Sequence, residues 1–311
     1  MDNHLNKNFK CGMVSIIGRP NVGKSTLLNR ILEEKVAIVS RIPQTTRNQV
    51  RGVYNEDRGQ IIFIDTPGMH EVKDRLDNFM NKASSSTLKQ VDCVIYLVDT
   101  TRQVGEEEGV IAEKVKKLKK PVILGLNKID QKKANIDEYI KFWEEVKGEP
   151  INTMKNFTLM PMSGKKGINV EALMDVLFEY LPEGPALYPT DIICDVPIKM
   201  AVADIIREKL FRNMKNEIPH AIGVIVEEIK PLKKKKTTEV KVLILVERNS
   251  QKEIVIGKDG QVLKKIGISA RMELEELLET KIFLNFYVKV HKSWRDDNYL
   301  LQEIGYDPSS L

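Results

Sequence analysis

Eight consecutive residues, Gly18-Arg19-Pro20-Asn21-Val22-Gly23-Lys24-Ser25, have the G-x-x-x-x-G-K-[ST] spacing that lets a backbone curl around a phosphate. Glycines permit the curl, consecutive N–H groups point at the anion, and the positive end of the following helix adds to the attraction. Lys24 is expected to reach the terminal phosphates, and the Ser25 hydroxyl to bind Mg²⁺, with Thr26 opening the helix beside them. A second group, Asp65-Thr66-Pro67-Gly68-Met69, follows the apolar run Ile61 to Ile64. A carboxylate at the carboxyl end of a parallel strand can hold Mg²⁺ through water, and the Gly68 N–H can approach a γ-phosphate unobstructed. Between the two lies Pro43-Gln44-Thr45-Thr46-Arg47, where a hydroxyl can complete the Mg²⁺ shell. Thr46 is the expected metal ligand and Thr45 the alternative. The expected metal set is therefore Ser25, Thr46 and Asp65, and the residues expected to act on the reacting phosphate are Lys24, Thr46 and Gly68.

Asn127-Lys128-Ile129-Asp130, after the apolar strand Val122 to Leu126, selects the base. A carboxylate only accepts, so Asp130 can take parallel hydrogen bonds from N1–H and the exocyclic amine of guanine. Adenine has neither donor there and would leave the carboxylate unpaired. Asn127 would buttress the loop or reach the base, and the Lys128 stem would pack over its face. The segment Pro161-Met162-Ser163-Gly164-Lys165-Lys166-Gly167 ends a further strand and would offer a backbone N–H to the guanine oxygen. These groups, in this order, predict binding and hydrolysis of GTP. Ras-like GTPases orient the attacking water with a glutamine after the glycine of the second group. Here that residue is Met69, so slow intrinsic turnover is expected.

Short apolar runs alternating with helical stretches must position these loops, which predicts βαβ units around a mostly parallel sheet with helices on both faces. Strands are expected at 12–17, 60–65, 92–98, 121–126 and 156–161, with an antiparallel edge strand at 48–55. This α/β nucleotide domain spans 10–181. The three prolines and one glycine of Leu181 to Pro189 then break the periodicity, and 182–190 reads as a linker.

A second, α+β domain is expected at 191–305: a helix at 198–215, strands at 221–230 and 240–247, a short helix at 250–257, a long one at 261–279, a strand at 281–290 and a final helix near 294–302. Between its two central helices lies the turn Gly257-Lys258-Asp259-Gly260. Glycines at both ends admit a sugar–phosphate backbone, while Lys258, Lys264, Lys265 and Arg271 supply charge. Lys292 stands in the basic segment that follows the last strand. This G-x-x-G turn in an α-β-β-α-α-β order has the layout of a type II KH domain, which clamps single-stranded RNA. Phe283, Phe286 and Tyr287 share a strand on which some must be core, so aromatic stacking is expected to be limited. The run Lys233-Lys234-Lys235-Lys236 reads as a solvated hairpin tip in preference to an RNA contact.

With 311 residues, 42% hydrophobic and 30% charged, the composition is that of an ordinary two-domain globular chain. The net charge of +5 is spread over both halves, so any polyanion contact rests on local clusters. Cys11, Cys93 and Cys194 form no C-x-x-C pair, and Cys93 and Cys194 read as buried residues of a protein in a reducing compartment. The first residues lack the apolar core of a signal peptide and the apolar runs are only strand-length, so a cytoplasmic protein is expected.

Together, Gly-Arg-Pro-Asn-Val-Gly-Lys-Ser, Pro-Gln-Thr-Thr-Arg, Asp-Thr-Pro-Gly-Met-His, Asn-Lys-Ile-Asp and the KH layout resemble the Era family of ribosome-associated GTPases. Arg207 to Phe211 and Glu217 to His220 also resemble that family's entry into its KH domain, and the likeness runs over about 10–305. Gly164 departs from it, standing where the family usually has Ala. The resemblance implies binding near the 3′ end of small-subunit ribosomal RNA and a checkpoint in small-subunit assembly. It also implies peripheral contact at the inner face of the cell membrane, and a monomer is expected. In similar GTPases an Asn at the position of Asn21 helps hold K⁺ beside the phosphates; the plainer role of Asn21 is to stabilise the loop.

Overall fold

The computed structural model describes residues 9–39, 50–67, 74–215, 217–232 and 236–306. Thr45, Thr46, Gly68, Met69 and Lys233 to Lys235 lie outside them. The chain forms two compact units, the first drawn mainly from residues up to Asp195 and the second mainly from Val196 onward.

Six strands make the sheet of the first unit: β1 (Lys10–Ile17), β2 (Val50–Glu56), β3 (Gly59–Asp65), β4 (Cys93–Asp99), β5 (Val122–Asn127) and β6 (Phe157–Pro161). Their order is β2-β3-β1-β4-β5-β6, parallel throughout except that β2 runs antiparallel to β3. The expected edge strand is thus present and antiparallel. Helices α1 (Lys24–Leu32), α2 (Arg75–Gln90), α3 (Glu106–Lys116), α4 (Ile136–Lys147) and α5 (Val170–Tyr180) connect the strands. Covered on both faces, β3, β4 and β5 are buried at every residue, which is why they read as unbroken apolar runs. A ring cluster fixes α4 to the sheet: Trp143 lies 5.6 Å from Tyr96 and 5.1 Å from Phe157, centroid to centroid. Parallel pairing brings Ile17, Asp65, Asp99, Asn127 and Pro161 to one edge of the sheet. The chain moves to opposite sides of β1 there, which is where open α/β sheets bind ligands.

The stretch after α5 is held down at intervals. Cys11 N donates to Pro182 O (3.0 Å), Val53 N to Ile193 O (2.7 Å) and Asp195 N to Arg51 O (3.0 Å). Gln60, fully buried, is the hub: its Oε1 accepts from Leu187 N (2.8 Å) and Tyr188 N (2.9 Å), and its Nε2 donates to Tyr188 O (2.8 Å). Cys194 consequently sits half-buried beside Gly52, whereas Cys11 and Cys93 are buried. The apolar neighbours of Cys194 in sequence gave no sign that it lies on this strap.

The second unit runs α6 (Ile198–Asn213), β7 (Gly223–Pro231), β8 (Thr237–Val246), α7 (Asn249–Ile256), α8 (Gln261–Leu277), β9 (Lys281–Val290) and α9 (Asn298–Ile304). Its sheet is ordered β7-β8-β9, with β7 and β8 antiparallel and β8 and β9 parallel. The parallel pair requires a crossover, which α7 and α8 supply. β8 begins three residues before the expected 240, because polar Thr237, Thr238 and Glu239 pair with Lys281, Ile282 and Phe283. The expected final helix is two pieces, a turn at Trp294–Asp296 and α9. Asp297 separates them, its side chain accepting from Leu300 N at 3.1 Å to cap α9. Among the described residues no helix is long and apolar enough to cross a membrane.

Gln60→Ala would strand three backbone groups of the strap, which are only part-buried, so each costs about 1 kcal/mol, the low end of the range for a buried group. The expected loss is about 2–4 kcal/mol in denaturant unfolding, with amide exchange at Leu187 and Tyr188 accelerated before the rest of the sheet.

Candidate functional site

The loop after β1 has the strained backbone that its sequence predicts. Gly18 has φ 148°, and a Cβ there would stand 2.2 Å from the Leu97 carbonyl of β4, so only glycine fits. Asn21 is left-handed at φ 66°, and Val22 is buried beneath the loop. Lys24 Nζ reaches back over the loop, donating to Gly18 O and to Arg19 O at 3.1 Å each. Burial holds its ammonium below the ordinary lysine range, against the opposing pull of Asp65 and Glu108. An anion in the loop would relieve that cost. Ser25 Oγ donates to Asp65 Oδ2 at 2.6 Å, which brings two hard oxygen ligands together from α1 and β3. Both donors suit Mg²⁺, whose charge would stabilise phosphate oxygens. Thr66 and Pro67 shape the end of β3: Thr66 Oγ1 donates to Ile16 O (3.0 Å) and Pro67 O accepts from Ser84 Oγ (2.9 Å). Thr26 is half-buried in the first turn of α1.

Asn127, at the end of β5, joins three loops. Its Nδ2 donates to Val22 O at 2.8 Å and its Oδ1 accepts from Gly164 N at 3.0 Å. Of its two expected roles, the geometry supports the buttress. It also engages the Gly164 N–H, a candidate for the guanine oxygen. Lys128, left-handed at φ 69°, spans the pocket's side: its Nζ donates to Asp99 Oδ2 (2.5 Å) and to Asn21 O (2.9 Å). Ile129 N donates to Met162 O (3.3 Å), holding the loop so that Asp130 projects into solvent, where a base can meet it. Ser163 is buried, its Oγ accepting from Lys166 N at 3.2 Å.

In the second unit, Gly257 has φ 75° and a Cβ there would lie 2.3 Å from Val262 Cγ2, so α7 can turn into α8 only through glycine. Lys258 and Asp259 are exposed at the tip, and Gly260, at φ 72°, opens α8. Lys264 and Lys265 project from the next turns, also exposed. Arg271 is exposed on the same helical face as Lys264, about 16 Å along the axis from Gly260. Lys292 follows the end of β9 and is exposed. The G-x-x-G turn and the first two lysines thus form one cluster, and Arg271 extends it. Of the three aromatics on β9, Phe286 is half-buried, with a ring carbon 3.0 Å from where a Cβ on Gly267 would stand. Phe283 and Tyr287 are 54% and 65% exposed, so more aromatic surface is available than the sequence suggested.

Residues 13–128 match a family model described as 50S ribosome-binding GTPase, and residues 217–295 match a KH domain. GTPase Era of Halothermothrix orenii is 41% identical over 299 residues, 96% of this chain and 99% of the relative. The chain belongs to the GTPase Era family. Among solved structures, a tyrosine-to-alanine variant of Aquifex aeolicus Era bound to GDP and AlF₄⁻ matches with TM-score 0.88, 38% identity, and 96% and 99% of the two chains covered. Era in complex with MgGDPNP and nucleotides 1506–1542 of 16S ribosomal RNA matches with TM-score 0.89 at the same identity and coverage. Membership of the Era family makes the chain a GTPase whose phosphate loop and KH domain stand in the expected order.

Sequence reasoning missed the residues that hold the Era site from behind. Asp99 anchors Lys128, and its place at the end of an apolar strand was the available signal. Glu107 and Glu108 of α3 engage Arg19, an assignment that lay hidden in an ordinary acidic first turn. Gly164 is explained by space: a Cβ there would lie 3.3 Å from Leu27 Cα, so alanine would require α1 or the loop to give slightly.

Asn127→Ala removes both ties and leaves a buried carbonyl and N–H unpaired, at about 1–3 kcal/mol each. GDP affinity measured by calorimetry is expected to fall at least tenfold, with a smaller loss in melting temperature.

Proposed function

We propose that this chain is a GTP-driven switch that binds small-subunit ribosomal RNA near its 3′ end through the KH domain and acts in assembly of the small ribosomal subunit. One observation carries the reading. An Era protein matching this chain over 96% of its length has been solved with MgGDPNP and nucleotides 1506–1542 of 16S ribosomal RNA together. This chain supplies the corresponding chemistry in a phosphate loop with an oxygen pair for Mg²⁺ and an exposed G-x-x-G turn flanked by lysines. The GTPase-domain model is named for the 50S subunit, but the full-length match carries small-subunit RNA, which favours the latter.

In this reading GTP and Mg²⁺ gather Thr46, or Thr45 beside it, and Gly68 around the γ-phosphate, and hydrolysis to GDP releases them. The RNA-competent state is the GTP state, which demands different RNA affinities in the two states. Lys258, Asp259, Lys264, Lys265, Arg271 and Lys292 are the proposed RNA contacts. Turnover is slow because Met69 cannot orient water, and K⁺ held beside Asn21 adds positive charge at the phosphates. The protein acts as a cytoplasmic monomer with peripheral contact at the inner face of the membrane.

RNA binding should be at least tenfold tighter with a non-hydrolysable GTP analogue than with GDP, read by titration of a 16S 3′-end oligonucleotide. Equal affinities would overturn the coupling. Lys258→Asp should weaken RNA binding in both states while leaving GTP affinity within twofold.

GTP turnover in KCl should exceed that in NaCl by fivefold or more; matching rates would remove the K⁺ role.

A further inference from the structure

Arg19 belongs to the phosphate loop, yet its guanidinium is committed to α3. Its Nε donates to Glu107 Oε2 at 2.6 Å, and its Nη1 lies 3.6 Å from Glu108 Oε1. The two carboxylates are unlike. Glu107 is 48% exposed at its side chain, whereas Glu108 is 1% exposed and accepts from the Tyr96 hydroxyl of β4 through Oε2. Burial pushes the Glu108 carboxyl above the ordinary glutamate range, against the hydrogen bond from Tyr96 and the charge of Arg19. It pushes the Tyr96 phenol up as well.

A carboxylate in that position costs stability. Its raised folded pKa means the fold favours the protonated form, a contribution present below the ordinary glutamate pKa and lost as pH rises through the folded value. At neutral pH a neutral residue of the same shape would pack there more cheaply. What the charge supplies is an anchor for Arg19, whose carbonyl accepts from Lys24 Nζ at 3.1 Å. A continuous series of contacts therefore runs from β4 through α3 and Arg19 to the lysine that meets the phosphates. Fixing such a loop before the ligand arrives removes an ordering cost from binding.

We infer that Glu108 is a positioning residue for nucleotide binding, which with Glu107 holds Arg19 from behind and so presets the phosphate loop. This rests on the loop being the nucleotide site, which the unsubstituted chain's own GDP affinity reads separately. The groups facing Glu108 are Arg19 from the loop, Tyr96 from β4, Arg102 from the turn after β4, Tyr139 from α4, Lys24 from α1 and Glu107 on its own helix. Protonating Glu108 removes one of the two negative charges on Arg19 and leaves only the exposed one.

The test is GDP affinity by calorimetry between pH 5 and 8 for the full chain, Glu108→Gln, Arg19→Gln and the double variant. At pH 8 each single variant should bind about tenfold more weakly, a difference of about 1.4 kcal/mol. The double variant should be no weaker than the singles, since both break one linkage. The parent-to-Glu108→Gln ratio should shrink towards one as pH falls. Titration of GDP itself is common to every chain and cancels in that ratio. The melting temperature of Glu108→Gln should be no lower than the parent's, which separates a lost support from a weakened fold. Affinity within twofold of the parent at pH 8, a ratio independent of pH, or losses that multiply in the double variant would each overturn the inference. Should Glu108→Gln fail to fold, Tyr96→Phe removes only the hydroxyl and should weaken GDP binding in the same direction, severalfold. An unchanged affinity there would overturn it equally.

Discussion

A primary amide is a short side chain that offers a donor and an acceptor together, and the pocket is organised around one. Asn127 gives its N–H to the phosphate loop at Val22 and takes one from the loop at Gly164. Segments more than 100 residues apart in sequence are thereby held at a spacing set by a single buried group. An aspartate could not donate to Val22 O, and a leucine could satisfy neither partner. The tie depends on where β5 ends, because parallel pairing of β4 with β5 places Asn127 opposite Asp99. Asp99 in turn receives Lys128 and so draws the base loop to the same frame. The sheet register sets the pocket's dimensions, and the amide and the ion pair hold the loops to it.

The second unit solves a different problem with the same economy of glycine. A strained Gly257 lets two helices meet at a tip without side-chain bulk, and lysines flank the tip where a polyanion can approach. In both units a glycine turn leaves backbone open to a ligand, with side-chain charge beside it. That arrangement suits phosphate recognition, in which oriented N–H groups and helix ends contribute before any sequence-specific contact.

Much of this was legible because the chemistry is local. The phosphate loop, Asp65 and Asn127 through Asp130 are contiguous motifs, and each follows an apolar run that a buried parallel strand must have. The five parallel strands of the first sheet were placed within two residues at either end for the same reason. What was not legible is long-range. Nothing near Arg19 announces Glu107 and Glu108, since an acidic first turn serves equally well as an ordinary helix start. Gln60 looked like one polar residue at the start of a strand, yet it is the buried hub for a segment over 120 residues away. The start of β8 was missed because its first three residues are polar and half-buried and carry no periodic signal, and the split before α9 because Asp297 acts through its cap.

The strap after α5 has a further consequence. β2 is the outer strand of an otherwise parallel sheet, and an outer strand exposes a row of unpaired N–H and C=O groups to any chain that could pair with it. Here Ile193 and Asp195 exchange backbone hydrogen bonds with Val53 and Arg51, so part of that row is occupied by the protein's own chain. A fragment ending with α5 would keep every nucleotide motif and lose this guard. Its weakness would be self-association along β2 rather than failure to recognise GTP. The first compact unit accordingly runs past its last helix to Asp195, and the added segment covers part of a sheet edge.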